Sequence, residues 1–386
     1  MHILIIPSWY INSINPLSGI FFKEQAEAIA KNPNNKVNII AVQDINMKLF
    51  IKKNKALWKI NKYKGNNINI YSIEYITIPK FVALRYKLKL LIFKYIFKQY
   101  IKENGLPDVI HLHSFFSGEC AIWIKETYNI PYIITEHSSK FIKKQLLSYE
   151  SKLAKKVFSS ANERIAVSKE FVSFLESQYN LSFTYIPNIV DTDFFKPINY
   201  NKNKSKFTFI NIAFLDKNKN QNILIRAFYN FFKNKKDIEL LIVGNGIEYN
   251  NLKKLITKLN MENRIKLYGQ ANRKEIKELL QKSDVFVLSS QFETFGVVIL
   301  EAMSCGLPAV ATKCGGPESI IINDRLGYLS EINEKDLGDL MYKMYKNINN
   351  FDSKYIRKYV IDNFSKEAVS KKIIKIYSKI ININEK

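Results

Sequence analysis

Two glutamates separated by seven residues, Glu293 and Glu301, are the pair whose type and spacing best suit chemistry. They lie in the stretch Ser289-Ser290-Gln291-Phe292-Glu293-Thr294-Phe295-Gly296-Val297-Val298-Ile299-Leu300-Glu301-Ala302-Met303-Ser304. Along a continuous helix they would sit about 12 Å apart at ~1.5 Å per residue, too far to share one proton. That distance suits the two ends of one long ligand, with a carboxylate for each of its hydroxyl groups. The backbone N–H groups of Phe295, Gly296, Val297 and Val298 open a helix expected over roughly 296–304, and a helix start favours an anion. A polyhydroxylated, anionic ligand fits both features. On spacing alone, the same glutamates also read as ordinary solvated loop and helix residues.

The elements that must hold them follow from the apolar runs on either side. Val285–Leu288 and Ala309–Thr312 read as buried strands, and Gly306 and Pro308 stop the helix between them. Such a strand–loop–helix–strand unit belongs to a parallel α/β sheet, which carries its ligand at the carboxyl edge. In residues 1–190 apolar runs at 3–6, 37–42, 68–76, 109–112, 132–135, 164–167 and 183–186 alternate with helical segments, predicting βαβ units in one sheet. A second series at 208–213, 239–243, 265–268, 285–288 and 309–312 predicts another. The polar stretch 197–206 between them reads as a linker region. Residues 365–381 predict an amphipathic helix with Ile373, Ile374, Ile376, Tyr377 and Ile380 on its apolar side.

The Glu293–Glu301 stretch, read through Cys305-Gly306-Leu307-Pro308, resembles the E-x7-E signature of the retaining glycosyltransferases, family 4 (the glycosyl transferases group 1 type). The resemblance runs from Pro7 to the terminal helix. It implies the α/β GT-B fold: two Rossmann-like doubly wound domains facing a central cleft. The expected division is an acceptor-side domain over 1–190, a nucleotide-sugar-binding domain over 191–364, and a helix over 365–386 folding back onto the first. It implies transfer of a sugar from a nucleotide-diphosphate sugar to a hydroxyl acceptor, with retention of configuration and without a metal or other cofactor. Glu301 would bind the nucleotide ribose and Glu293 the donor-sugar hydroxyls, stabilising oxocarbenium-like charge. Lys219 would hold the diphosphate, helped by N–H groups at Phe295 to Val297.

Other segments carry the same resemblance. Pro7-Ser8-Trp9-Tyr10 and Asn15-Pro16-Leu17-Ser18-Gly19 precede a helix, and Gly19 lets backbone approach a phosphate. A plain turn glycine is the other reading. In the family this loop borders acceptor and donor phosphates, which puts Ser18 on the acceptor side. His111 and His113 close one strand and His137 the next, where doubly wound folds bind ligands. Isolated histidines are commonly structural; the resemblance favours a catalytic part for His137, steadying a sugar hydroxyl or leaving phosphate, and leaves His113 open on the acceptor side. Asn188-Ile189-Val190-Asp191-Thr192-Asp193 resembles the interdomain segment, with Ile189 where glycine is usual, so its D-x-D is read as a hinge and not as a metal site. Lys219 aligns with the family's diphosphate lysine, whereas Phe214 stands where an arginine is expected. Lys217 is a candidate to supply the missing charge, although without the resemblance both lysines read as solvated loop residues. Val243-Gly244-Asn245-Gly246 matches the family's Gly-x-Gly turn, and Cys314-Gly315-Gly316-Pro317-Glu318 its later glycine-rich turn, both shaping backbone near the donor.

Bulk composition sets the remaining bounds. The 386 residues are 47% hydrophobic and suffice for two domains. No run approaches the ~18 apolar residues of a membrane span, and the start reads as a first strand, not a signal peptide. Three cysteines with no metal or disulfide pattern fit a reducing cytoplasm. The net charge of +24 invites nucleic acid as partner, but arginine is scarce and the excess is spread, with +13 in residues 1–190. A nucleic-acid-binding protein would leave both glutamates idle, and a glycoside hydrolase would pair its carboxylates ~5–9.5 Å apart. The anionic partners that remain are a nucleotide diphosphate, a glycan or lipid-linked glycan acceptor of the bacterial surface, and a membrane. For the last, Lys80, Lys87, Lys94, Lys98 and Lys102 form a stripe on a helix over 80–102 among Leu84, Leu88, Leu91, Ile92, Tyr95, Phe97 and Ile101, with no acid between Glu74 and Glu103. An ordinary surface helix is the competing reading, and a peripheral position at the inner face of the membrane the stronger one if it binds.

Overall fold

A computed structural model describes residues 1–12, 18–46, 59–65, 68–77, 81–198 and 206–384. The chain divides into two units, one of Met1–Val167, Phe171–Ile189 and Val369–Lys386, the other of Ser168–Glu170 and Val190–Ala368. Lys80 and residues 15–17 of the opening motif lie outside the described residues, as does most of the expected linker (199–205).

The first unit runs β1 (His2–Pro7), α1 (Ile20–Ala30), β2 (Lys36–Asn46), β3 (Asn61–Gly65), β4 (Ile68–Thr77), α2 (Val82–Asn104), β5 (Val109–His113), α3 (Gly118–Tyr128), β6 (Tyr132–Glu136), α4 (Ser148–Ser160), β7 (Glu163–Ala166), α5 (Lys169–Tyr179) and β8 (Thr184–Tyr185). Its eight strands are ordered β3-β4-β2-β1-β5-β6-β7-β8. All neighbours are parallel except the edge pair β3–β4, an antiparallel hairpin that the apolar runs do not predict. Strands such as β5 and β6 are buried along their whole length, because helices cover both faces; hence their mostly apolar sequences, broken by His111 and His113 in β5 and by Thr135 and Glu136 at the end of β6. Strand order reverses between β1 and β5, the switch point at which such sheets open a crevice. There Ser8 ties the two strand ends together: its N–H donates to His113 O (3.0 Å) and its hydroxyl to Ser114 O (2.7 Å).

The second unit runs β9 (Phe207–Ile212), α6 (Gln221–Phe232), β10 (Ile238–Val243), α7 (Tyr249–Lys258), β11 (Ile265–Gly269), α8 (Arg273–Lys282), β12 (Val285–Leu288), α9 (Val297–Ser304), β13 (Ala309–Thr312), β14 (Gly327–Ser330), α10 (Glu334–Lys346) and α11 (Ser353–Phe364). Its sheet, β11-β10-β9-β12-β13-β14, is parallel throughout and reverses order between β9 and β12. A core of Phe209, Leu224, Phe228, Phe232, Val285 and Leu337 holds α6 and α10 on it.

The last helix described, α12 (Lys366–Asn384), supplies Val369, Ile373, Tyr377 and Ile380 to the core formed by β1, α1 and β2. Tyr377 is fully buried, and its hydroxyl meets His111 Nδ1 at 2.6 Å. Tyr377→Phe keeps the ring but leaves the buried His111 nitrogen without that partner. We expect a loss of about 1–3 kcal/mol in urea unfolding at pH 7; an unchanged midpoint would show the bond to be dispensable.

Candidate functional site

In the second unit the two loops at the switch point meet. The loop after β9 and the loop after β12 are joined by Gln291 N–H to Asn218 O (2.7 Å), Ser289 Oγ to Lys219 O (2.8 Å) and Asn218 Nδ2 to Phe292 O (3.1 Å). These bonds bring Lys219 and Glu293 together across 74 residues of sequence: Lys219 Nζ lies 2.5 Å from Glu293 Oε1. Ser290 Oγ donates to the same oxygen at 2.8 Å, and Glu293 N–H donates to Cys314 O (2.9 Å), which draws in the glycine-rich turn after β13. Both charged side chains are mostly buried, so the pair is held at lower dielectric than a surface ion pair.

Gly296 is the N-cap of α9 in the left-handed region (φ 100°), and the helix proper starts at Val297. Glu293 therefore precedes the helix, and the path to Glu301 is not the continuous helix that gave the 12 Å spacing. Glu301 lies in the second turn of α9, half-buried. Phe295 contributes backbone only, since its ring is buried. Gly244, at φ 144°, lies so close to the β9 loop that a Cβ there would fall 1.9 Å from Ala213 O; no other residue fits. Phe214 is 63% exposed and brings no charge. Lys217 lines a cavity of about 300 Å³ with Glu248, Asn251 and Gln291.

The first unit positions its candidates at the carboxyl ends of β1, β5 and β6. Gly19 caps α1 at φ 66°, where a Cβ would come 2.8 Å from Trp9 O, and Ser18 is half-buried beside it. His137 is 9% exposed, packed among Trp9, Phe21 and Phe22, with its Nε2 3.1 Å from His113 Nδ1. His113 is fully buried, its ring 4.1 Å from His111 and 4.5 Å from Phe22, with His137 beside it. Asp191 lies near the start of the second unit, its carboxylate 2.6 Å from Lys366 Nζ and accepting from Phe194 N–H.

Sequence reasoning passed over Glu136. This buried carboxylate accepts from Ser114 Oγ (2.5 Å), from the N–H groups of His137 (2.9 Å) and Ser138 (2.8 Å), and from Phe115 N–H (3.0 Å). It fixes the loop that carries His137, and the acid next to a candidate histidine at a strand end was its only signal. Burial pushes its carboxyl up to about 7, against the pull of those donors. Burial depresses the three histidines, His111 and His137 to about 3 and His113 well below its ordinary value.

Two families match the sequence: one described as "Glycosyl transferases group 1" over residues 193–358, the other as "Glycosyltransferase Family 4" over 61–194. An uncharacterized glycosyltransferase of Methanocaldococcus jannaschii is 30% identical over 292 residues, 75% of this chain and 77% of that protein. Among solved structures, sucrose-phosphate synthase from Thermosynechococcus elongatus superposes with a TM-score of 0.79 at 19% identity, covering 99% and 100% of the two chains. Anabaena HepE, solved in complex with UDP, gives 0.73 at 19% identity, covering 98% and 100%.

The buried histidines set a pH dependence. An unfolded histidine takes up a proton near pH 6.5 and these do not, so the stability they allow is present above 6.5 and lost as pH falls toward 3. Glu136 acts oppositely: its contribution is full below the ordinary carboxylate pKa and is lost as pH rises through about 7. Three histidines outweigh one carboxyl, so stability measured by urea unfolding should fall from pH 6.5 to 5. His113→Gln should make that fall shallower by up to about 1.4 kcal/mol per pH unit. An unaltered slope would remove the histidine stack as its cause.

Proposed function

The chain belongs to the glycosyl transferases group 1, family 4 glycosyltransferases, and from that premise we propose a retaining, metal-independent enzyme that moves a sugar from a nucleotide-diphosphate sugar to a hydroxyl of a bacterial surface-glycan precursor. The observation that carries this reading is the Lys219–Glu293 pair, held at the switch point by hydrogen bonds between two loops and followed at once by the start of α9. Lys219 takes the donor diphosphate together with the N–H groups at Gly296 and Val297. Glu301 takes the ribose hydroxyls. Glu293 takes the hydroxyls of the donor sugar and lies against positive charge as it develops at the anomeric carbon. His137, on the loop that Glu136 holds at the end of β6, serves a sugar hydroxyl. The anomeric C–O bond to phosphate breaks as the acceptor oxygen bonds the same face, and the acceptor proton passes to the departing phosphate oxygen. Lys219 and the helix start then meet the charge on the leaving group. The UDP bound in the Anabaena structure supports a nucleoside diphosphate as product.

The pair makes the reading testable. Diphosphate replaces Glu293 as the partner of Lys219, so Glu293 opposes nucleotide binding slightly while serving the transition state. Glu293→Gln should lower turnover by roughly 10²–10³-fold with the donor found by screening nucleotide-sugars, without weakening UDP binding measured by calorimetry. Lys219→Met should weaken UDP binding itself. Full turnover in a variant with both Glu293 and Glu301 changed to Gln would end the assignment.

We propose further that α2 docks the enzyme on the inner face of the cell membrane. No described helix is long and apolar enough to cross a membrane. Leu84, Leu91 and Tyr95 are exposed on α2 beside the exposed Lys87, Lys98 and Lys102, a mixed apolar and basic face suited to an anionic interface. Ile92 and Phe97 belong to the core instead, and Lys94 rests on the Trp123 ring at 4.9 Å. Lys87, Lys98 and Lys102 changed together to Gln should cut binding to phosphatidylglycerol vesicles by roughly 10²-fold, at ~1 kcal/mol per lysine. Equal sedimentation with the vesicles would dismiss the docking.

A further inference from the structure

A cavity of about 280 Å³ opens at the carboxyl ends of β1 and β2, walled by the first turns of α2 and by α4. Three cations line it: Arg85, Lys89 and Lys140. Two carboxylates also line it, and each is already taken, Asp44 by Arg85 (3.0 Å) and Glu150 by Lys140 (3.0 and 3.2 Å). Lys89 is the odd charge. It is 7% exposed, and no carboxylate stands within ion-pair distance of it among the described residues; its Nζ has the neutral carbonyl of Ser8 at 3.3 Å. One carbonyl at that length does not replace the water an ammonium loses on burial. Beside it Gln43, 5% exposed, accepts from Tyr10 N–H at its Oε1 (2.9 Å) while its Nε2 has no hydrogen-bond partner. A surplus positive charge and an unused amide donor thus line one cavity, on the strand ends where this fold binds ligands. Burial of Lys89 depresses its pKa, consistent with a charge lacking a counter-ion.

We propose that this cavity is an anion subsite for the acceptor: Lys89 and Gln43 bind an oxyanion, phosphoryl or carboxylate, carried by the molecule that receives the sugar. The inference rests on the glycosyltransfer reading and narrows its substrate to acidic acceptors. An oxyanion gives Lys89 the counter-charge it lacks and accepts from Gln43 Nε2. The ion pairs of Arg85 and Lys140 stay intact around it and fix the cavity walls.

The test is calorimetric titration of the full chain, with and without saturating UDP, using sn-glycerol 3-phosphate and D-glucuronate against their neutral counterparts glycerol and D-glucose at constant ionic strength. At least a tenfold preference for one anion over its counterpart is expected. The anion preferred tells phosphoryl from carboxylate acceptors. Lys89→Met should abolish the preference and unfold no earlier than the unmodified protein, because it removes a desolvated charge; a lysine with a merely structural role would lower the unfolding temperature and leave the preference. Gln43→Leu should weaken anion binding several-fold and serves if Lys89→Met fails to fold. Lys155→Met, which removes an exposed charge from α4, should behave as unmodified. No preference for either anion, its survival in both Lys89→Met and Gln43→Leu, or its equal loss in Lys155→Met would overturn the proposal. UDP binding in the same titrations reads the donor half separately: UDP bound with no anion preference removes the subsite and leaves glycosyltransfer standing, whereas failure to bind UDP removes the reading beneath it.

Discussion

A parallel sheet covered by helices on both faces has only its strand ends to offer a ligand, and most candidate residues in this chain obey that constraint. Ser8, His113, Glu136 and His137 follow or close strands of the first sheet, and Lys219, Gly244 and Glu293 those of the second. At each reversal of strand order two loops from distant parts of the sequence leave the sheet side by side. Hydrogen bonds between loops then decide which side chains face one another. In the second unit such bonds set Lys219 against Glu293; in the first, Ser8 locks the ends of β1 and β5.

Charge in these regions is handled by local pairing, which explains how a strongly basic protein keeps defined sites. Asp44, Glu150, Asp191 and Glu293 each hold a cation at 2.5–3.0 Å. Glu136 instead is met by backbone N–H groups and a hydroxyl, an arrangement that orders a loop without adding a titrating cation. Against this background an uncompensated ammonium within a protein wall stands apart from the many solvated lysines.

Much of the fold was legible in the sequence because strands buried on both faces are mostly apolar, and apolar residues predominate in β1, β2, β5, β6, β10 and β12. The exceptions have physical reasons. Asn61-Lys62-Tyr63-Lys64-Gly65 makes an edge strand exposed along its length, so it needs no apolar run. Gly327-Tyr328-Leu329-Ser330 is a four-residue strand that begins with a glycine pressed against Ala309 O, too short to announce itself. The site was legible only in part. Spacing marked Glu293 and Glu301 as a candidate pair, but their roles and that of Lys219 came from family likeness, since nothing local links positions 219 and 293. The burial of His113 was not legible, because a strand-end position does not reveal that Phe22 closes over it. Lys89 escaped because lysines on an amphipathic helix read as solvated; its place in the Tyr86, Phe93, Ile96, Tyr100 stripe was the available signal.

The docking of α12 has a consequence for how the protein is made. The core of the first unit includes Val369, Ile373, Tyr377 and Ile380, so this unit, although the earlier to emerge from the ribosome, cannot close until those residues have followed. The second unit is complete by Ala368. A nascent chain therefore carries an unfinished first unit past the point at which the sequence of the second is complete, against the usual vectorial order.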